Sequence, residues 1–244
     1  MAQKENQLLQ EQQGLTLKVI GHIHTAFKTK FGVPRQSGLV EELEATIVFT
    51  PQYRDPSALR GLEGFSHLWL IWEFSEAKRE QWSPTVRPPR LGGNKRVGVF
   101  ATRSPFRPNA LGLSVVRLIA IEQDKENGMV LRVAGADLMD GTPIYDIKPY
   151  LPFVDSIADA QGGFAEEVKD YHLDVECSLE LLEKIPSESQ KGLLGVLAHD
   201  PRPQYQTSEE RIYGMCYDKW EVKFQVKGQT LIVTEIELCE KNDR

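Results

Sequence analysis

The side chains best suited to chemistry lie in four short segments that are rich in proline and glycine. Residues 31–36 present an arginine and a glutamine directly after Pro34, and proline restricts both its own backbone and the residue before it. Residues 86–94 and 101–109 place arginines beside proline and phenylalanine, which suits contacts to phosphates and stacking on unpaired bases. Residues 137–143 contain two aspartates and an Asp-Gly turn pair, whose backbone groups could cradle a ligand. Taken singly, each segment could also be an ordinary surface turn or a site for a small anion.

The cationic side chains are concentrated in one stretch, although the chain as a whole is acidic. The 244 residues carry a formal net charge of −6, yet residues 81–121 contain no aspartate or glutamate and carry +7, which leaves −13 for the rest. Because the local field decides where a polyanion binds, this stretch predicts an RNA-binding surface. The alternative is a cationic segment that pairs with acidic residues elsewhere in the fold.

Other common enzyme signatures are missing from the sequence. It has no glycine fingerprint for dinucleotides, no Walker loop, no nucleophile elbow and no zinc-protease motif. His22 and His24 have no third ligand in view, and the three cysteines show no C-x-x-C spacing, so we expect neither a metal site nor a disulfide framework. No apolar run could span a bilayer, and the polar residues 1–14 lack the centre of a signal peptide, so we expect a cytoplasmic protein without a membrane partner.

Short strands must position the four segments. Apolar residues that alternate, or run continuously as in a strand buried on both faces, predict strands in the first two thirds of the chain. Their ranges are 15–21, 45–49, 65–72, 97–101, 114–121 and 129–134. Because helical patterns do not alternate with these strands, the sequence predicts a mainly β fold. We expect a polar lead-in at 1–14 and an antiparallel β-barrel main domain at 15–160.

The pattern changes after about residue 150, where a loop rich in Asp, Ala and Gly follows. A smaller C-terminal α+β domain is predicted at 165–244. Its expected elements are a strand at 171–177, helices at 179–185 and 191–198, and a hairpin of strands at 220–226 and 231–238.

Taken together and in order, the four segments resemble the TsaA/TrmO family of tRNA (adenine-N6) methyltransferases. The matching stretches, which cover most of residues 30–154, are KFGVPRQSGLV, RGLEGFSHLWLIWEF, WSPTVRPPRLGGNKRVGVFATRSPFRPNALGLS and ADLMDGTPIYDIKPYLPF. HDPRPQY and the terminal hairpin resemble the C-terminal region of bacterial members. Ser37 and Ala110 stand where the family pattern has proline. The resemblance implies a homodimeric β-barrel enzyme that uses S-adenosylmethionine. Its substrate would be N6-threonylcarbamoyladenosine at position 37 of threonine tRNA, next to the anticodon.

The resemblance also implies which residues bind the ligands. The predicted contacts to S-adenosylmethionine are Pro34, Arg35, Gln36, His67, Leu68, Arg103, Leu113, Asp137, Leu138, Met139, Asp140, Gly141 and Thr142. A histidine in an apolar strand is by default part of the core, so only the resemblance makes His67 a cofactor contact. The anticodon stem-loop is expected on Arg87, Arg90, Lys95 and Arg107.

The predicted reaction needs alignment and a proton acceptor. Methyl transfer from a sulfonium is an in-line displacement, and holding two reactants in line can lower the barrier by roughly 7–11 kcal/mol. The N6 proton must leave, and we hypothesise that Asp140 accepts it; Asp137 is the alternative, and either could instead stabilise the sulfonium or bind ribose. Two other functions remain open: a non-catalytic RNA-binding β-barrel, and a hydrolase of small anions or nucleotides that uses Asp140 with a metal.

Overall fold

The computed structural model describes residues 15–77, 81–88, 95–202 and 208–239. The predicted lead-in at 1–14 and the predicted RNA contact Arg90 lie outside these residues. The strands within the described residues are β1 Gly21–His24, β2 Glu44–Phe49, β3 His67–Glu73, β4 Thr85–Val86, β5 Val97–Gly98, β6 Leu111–Asp124, β7 Gly128–Ala134, β8 Thr142–Pro149, β9 Asp174–Glu176, β10 Tyr213–Tyr217, β11 Trp220–Lys227 and β12 Thr230–Leu238. The α-helices there are α1 Pro152–Asp155, α2 Leu179–Leu182 and α3 Ser187–Ala198.

Six strands form a sheet whose order closes on itself, β1-β2-β7-β6-β3-β8, as a closed barrel. Strand β8 completes the ring because it pairs antiparallel with β3 on one side and with β1 on the other. Side chains alternate between the two faces of each strand, and in β3 Leu68, Leu70 and Trp72 are buried in the core. The prediction of a mainly β fold with antiparallel sheets is confirmed. No described helix is both long enough and apolar enough to cross a bilayer.

The second sheet lies in the C-terminal third, in the order β10-β11-β12-β9, with β9 parallel to β12. One face of this sheet forms a second hydrophobic core, in which helix α3 buries Leu193 and Leu197. Phe27 and Val40, from the long connection between β1 and β2, are also part of it. The connection that carries Pro34, Arg35 and Gln36 therefore packs against the C-terminal region. The predicted domain boundary near residue 165 stays a prediction.

Several elements differ from the sequence prediction. The first strand begins at Gly21 rather than at residue 15, and the described residues before it form no regular strand. Strand β8 was missed because prolines at both ends obscure its alternation, and β10 because it is short and contains a glycine. Cys216 and Cys239 lie 23 positions apart in sequence, yet their Sγ atoms come within 3.3 Å as free thiols. Sheet pairing, which single-sequence patterns do not report, brings them together.

Gly112 is the strand position whose missing side chain makes room for Trp72. The two residues pair across β6 and β3, and a Cβ at Gly112 would overlap the indole ring. We therefore expect Gly112→Ala to lower the free energy of unfolding by about 1–3 kcal/mol, the usual cost of overpacking, in urea denaturation. Gly98→Ala is the matched control, since a Cβ there meets no atom within 4 Å and its φ is −59°. Equal losses from both variants would show that contact with Trp72 is not the cause.

Candidate active site

A cavity of about 1010 Å³ opens where the loops at one end of the barrel meet the C-terminal region. Its walls come from residues 30–36, the end of β3 with the turn after it, residues 102–113, residues 137–142, and residues 196–202. Ligand pockets typically measure about 300–1,000 Å³, so this one has room for a large ligand. The segments singled out from the sequence thus converge on one space, with the exception of 86–94, whose last six residues lie outside the described chain.

Nine of the thirteen predicted cofactor contacts line this cavity. They are Pro34, Arg35, Gln36, Arg103, Leu113, Asp137, Leu138, Met139 and Thr142. The other four are His67, Leu68, Asp140 and Gly141, which are not among its lining residues. Leu68 is fully buried in the barrel core, and the ring of His67 packs against Tyr150.

Asp140 is exposed and does not line the cavity. Its Oδ1 accepts a hydrogen bond from the Thr25 backbone N–H at 3.2 Å and lies 3.1 Å from Nδ1 of His24. The Asp140 backbone N–H donates to the Phe27 carbonyl, and Gly141 takes the turn with a φ of 75°. These contacts fasten the loop to the end of β1, so this geometry favours an anchoring role for Asp140.

Asp137 places a partly buried carboxylate in the cavity wall. Its Oδ1 accepts a hydrogen bond from Ser114 Oγ at 2.6 Å, and the same oxygen of Ser114 accepts one from Trp72 Nε1 at 2.9 Å. Burial raises the pKa of Asp137 above its ordinary value of 3.8, and the hydrogen bonds from Ser114 and the Ser37 backbone amide offset this only in part. A proline at position 37 would lack that amide. Asp137 is therefore a carboxylate of increased basicity beside an apolar core.

Arg35 is oriented by a cluster in the C-terminal region that sequence reasoning missed. Its Nη2 donates to the backbone carbonyls of Asp200 and Arg202 at 3.2 and 3.3 Å. Asp200 is buried with a φ of 51°, and its carboxylate accepts two hydrogen bonds from the Arg202 guanidinium, one from the Arg202 backbone N–H and one from the Tyr171 hydroxyl. Burial alone would raise the pKa of Asp200, but the hydrogen bonds from Arg202 and Tyr171 outweigh it, and the pKa lies below 3.8. The HDPR sequence at 199–202 was the available signal, but it gave no indication of the partner 165 positions away.

Of the four predicted RNA contacts, the structure describes Arg87, Lys95 and Arg107. Arg107 lines the cavity and donates to the Thr102 carbonyl at 3.3 Å. Arg87 and Lys95 are exposed at the same end of the β4–β5 ribbon, where Arg87 follows β4 and Lys95 precedes β5. Arg103, which the sequence assigned to the cofactor, donates to the side-chain oxygen of Gln36. Within the described residues, no group of three or more His, Cys, Asp or Glu side chains is placed to hold a metal ion.

Two family models match most of the chain. The tRNA-methyltransferase O N-terminal domain matches residues 22–156, and the TrmO C-terminal domain matches residues 170–238. The chain belongs to the tRNA-methyltransferase O family. The family expected from the sequence segments is thereby confirmed, and the N-terminal match contains all four of them.

Individual relatives of the tRNA-methyltransferase O family cover most of the chain. It is 44% identical to an Escherichia coli (strain K12) protein named tRNA (adenine(37)-N6)-methyltransferase. The match extends over 214 residues and covers 85% of this chain and 90% of the relative. A Pyrococcus abyssi (strain GE5 / Orsay) relative, named as a probable S-adenosyl-L-methionine-binding protein, is 38% identical over 148 residues, or 61% of this chain and 74% of its own. A crystal structure of TrmO from Pseudomonas aeruginosa matches with a TM-score of 0.75 at 33% identity, over 92% of this chain and 97% of that chain.

The ion pair between Asp200 and Arg202 is expected to be a main anchor of the C-terminal region. Asp200→Asn keeps the side-chain shape and tolerates the positive φ, but it leaves a mostly buried guanidinium without its counter-ion. We expect a loss of about 3 kcal/mol of unfolding free energy, the lower end for a broken buried ion pair, in urea denaturation. Tyr171→Phe is the milder control, because it removes one hydrogen bond worth about 1 kcal/mol. A loss no larger than that of Tyr171→Phe would contradict the anchoring role.

The same pair gives a pH dependence of defined sign. Because the folded pKa of Asp200 lies below 3.8, its charge stabilises the fold fully above that value, and this contribution disappears as the pH falls through the lowered pKa. The difference in stability between the wild type and Asp200→Asn should therefore shrink below about pH 4. A constant difference from pH 7 down to pH 3 would show that the ionised carboxylate is not responsible.

Proposed function

We propose that this chain is an S-adenosylmethionine-dependent methyltransferase that methylates N6 of N6-threonylcarbamoyladenosine at position 37 of threonine tRNA. The observation that carries the proposal is the partly buried carboxylate of Asp137, hydrogen-bonded to Ser114, in the wall of a ligand-sized cavity built from the family's segments. The names of the relatives support both the adenine-37 substrate and the methyl donor. We further propose that it acts as a cytoplasmic homodimer, as the family resemblance implies.

The residues of the cavity suit the methyl donor. S-adenosylmethionine supplies an electrophilic methyl group on a positively charged sulfur. The carboxylates of Asp137 and Glu73 would face that positive charge. The guanidinium groups of Arg35 and Arg103 would bind the carboxylate of the methyl donor. Leu138 and other apolar side chains of the wall would cover the nucleoside.

Asp137 is proposed as the proton acceptor at N6 of the adenosine. The lone pair of a carbamoylated N6 is delocalised, so the nitrogen is a weak nucleophile until its proton is withdrawn. Asp137 would accept that proton as the new N–C bond forms, and its raised pKa makes it a better base than an exposed aspartate. Ser114 would hold the carboxylate in one orientation. Asp140, the first hypothesis from the sequence, remains the alternative despite its position outside the cavity lining.

The tRNA is proposed to lie on the cationic surface beside the cavity. Arg87 and Lys95 are exposed there, Arg107 lies at the cavity wall, and Arg90 belongs to the same segment. Arginine and lysine contacts to phosphate make binding steeply dependent on salt. We expect the affinity for tRNA to fall when salt is raised, and to fall further in Arg107→Ala.

Mass spectrometry of tRNA nucleosides tests the activity directly. Threonine tRNA with and without the threonylcarbamoyl group would be incubated with the protein and isotope-labelled S-adenosylmethionine. We expect one labelled methyl group on N6-threonylcarbamoyladenosine and none on the unmodified adenosine. Transfer to both tRNAs would contradict the proposed substrate. Binding of tRNA with neither transfer nor calorimetric heat from the methyl donor would favour the non-catalytic RNA-binding alternative.

Variants of the carboxylates test which one is the base. We expect Asp137→Asn to lower kcat by about 10²–10⁴-fold, the usual contribution of a general base, and Asp140→Asn to change it much less. Calorimetry with S-adenosylmethionine would separate loss of chemistry from loss of binding. The reverse ranking of the two variants would return the role to Asp140.

Ser114→Ala tests the same base through the pH profile. An aspartate cannot accept a proton once it is protonated, so kcat/KM should fall as the pH drops through the raised pKa of Asp137. Ser114→Ala removes a hydrogen bond that lowers this pKa, so the acid limb should move to higher pH. An unmoved acid limb with intact folding would contradict the role of Asp137.

A further inference from the structure

A second, smaller cavity adjoins the first on the side of the cationic segment. It measures about 540 Å³ and shares five wall residues with the larger cavity. The shared residues are Glu73, Pro105, Arg107, Asn109 and Leu111. A ligand in the second cavity would therefore lie directly beside a ligand in the first.

An exposed aromatic pair stands at the second cavity. Trp82 lines it, and Trp82 and Phe100 expose 51% and 73% of their surface. Their rings stack, with centroids 6.2 Å apart and planes inclined by 26°. Tryptophan and phenylalanine are normally mostly buried, so two stacked exposed rings suggest a surface that meets a partner.

The charges around the pair identify the class of partner. Residues 81–121 contain no acidic side chain, and Arg107 lines the second cavity, whose wall also contains Glu73 with a hydrogen bond from the Tyr145 hydroxyl. Exposed Arg87, Lys95 and Arg96 lie at the other end of the β4–β5 ribbon from the aromatic pair. Cations interleaved with exposed aromatic rings are the combination that binds single-stranded nucleic acid, because phosphates meet the cations and bases stack on the rings. Paired bases offer no free face for such stacking.

We propose that Trp82 and Phe100 form a stacking platform for an unpaired RNA nucleotide that neighbours the target adenosine. The second cavity holds this nucleotide. The wall that it shares with the larger cavity sets the distance between the stacked nucleotide and the target adenosine. The inference rests on the proposed function for the identity of the target, while stacking itself is a separate property of this surface. It makes Trp82 a residue that selects loops over duplexes.

Fluorescence anisotropy with a labelled anticodon stem-loop tests the platform. We expect Trp82→Ala to weaken binding by about 5- to 150-fold, the range for loss of one base–aromatic stack, and Trp82→Phe to retain most of the affinity. Phe153→Ala is the matched control, since Phe153 is 84% exposed but lines neither cavity. A fully paired RNA duplex should bind Trp82→Ala and the wild type equally. Calorimetric affinity for S-adenosylmethionine and the thermal melt should be unchanged in all three variants.

Three outcomes would overturn the platform. The proposal would be wrong if Trp82→Ala bound the stem-loop with wild-type affinity. It would also be wrong if Phe153→Ala lost as much affinity as Trp82→Ala. A change from dimer to monomer in Trp82→Ala, measured by light scattering, would instead assign the rings to a second copy of the chain. The nucleoside mass spectrometry stands apart from these results: stacking without methyl transfer would defeat the proposed function and leave the platform standing.

Discussion

One partly buried carboxylate, that of Asp137, connects the fold of this protein to its chemistry. Asp137 lies where the loop after β7 meets the barrel core, and burial there makes its negative charge costly. The hydrogen bond from Ser114 holds that charge in one direction, and Trp72 holds Ser114. Trp72 can adopt this position only because residue 112 is glycine. The basicity of the Asp137 carboxylate thus depends on the pairing of Trp72 with Gly112 and on the hydrogen bonds from Trp72 to Ser114 and from Ser114 to Asp137.

The part of the cavity wall around Arg35 depends on chain segments that are distant in sequence. Arg35 belongs to the connection between β1 and β2, and its guanidinium is oriented by carbonyls of the 199–202 segment. That segment is fixed in turn by the pairing of Asp200 with Arg202 and Tyr171. Phe27 and Val40 are buried with helix α3 in the same core. The C-terminal region therefore forms part of the cavity wall through its HDPR segment.

The sequence predicted those parts of the molecule that local patterns encode. Alternating apolar residues located β2, β3, β6 and β7 and the terminal hairpin, because one face of each strand is buried. The proline- and glycine-rich segments located most of the cavity wall for the same local reason. Strand β8 was missed because prolines obscure its period, and the contact between Arg35 and Asp200 was missed because no local pattern records a partner 165 residues away. Asp140 was hypothesised as the base from its location in the segment 137–143, whereas burial, which favours Asp137, depends on tertiary packing.

The titration of Asp137 itself tests this account most directly. Carbon NMR of protein labelled at aspartate carboxyl carbons, with Asp137→Asn to assign the resonance, would report the pKa of that group in the folded protein. The account predicts a midpoint clearly above 3.8 for Asp137, with Asp200 titrating below 3.8 in the same spectra. A midpoint for Asp137 at or below 3.8 would mean that the hydrogen bonds and the charge of Arg103 outweigh burial, and the claim that burial prepares it as a base would be wrong.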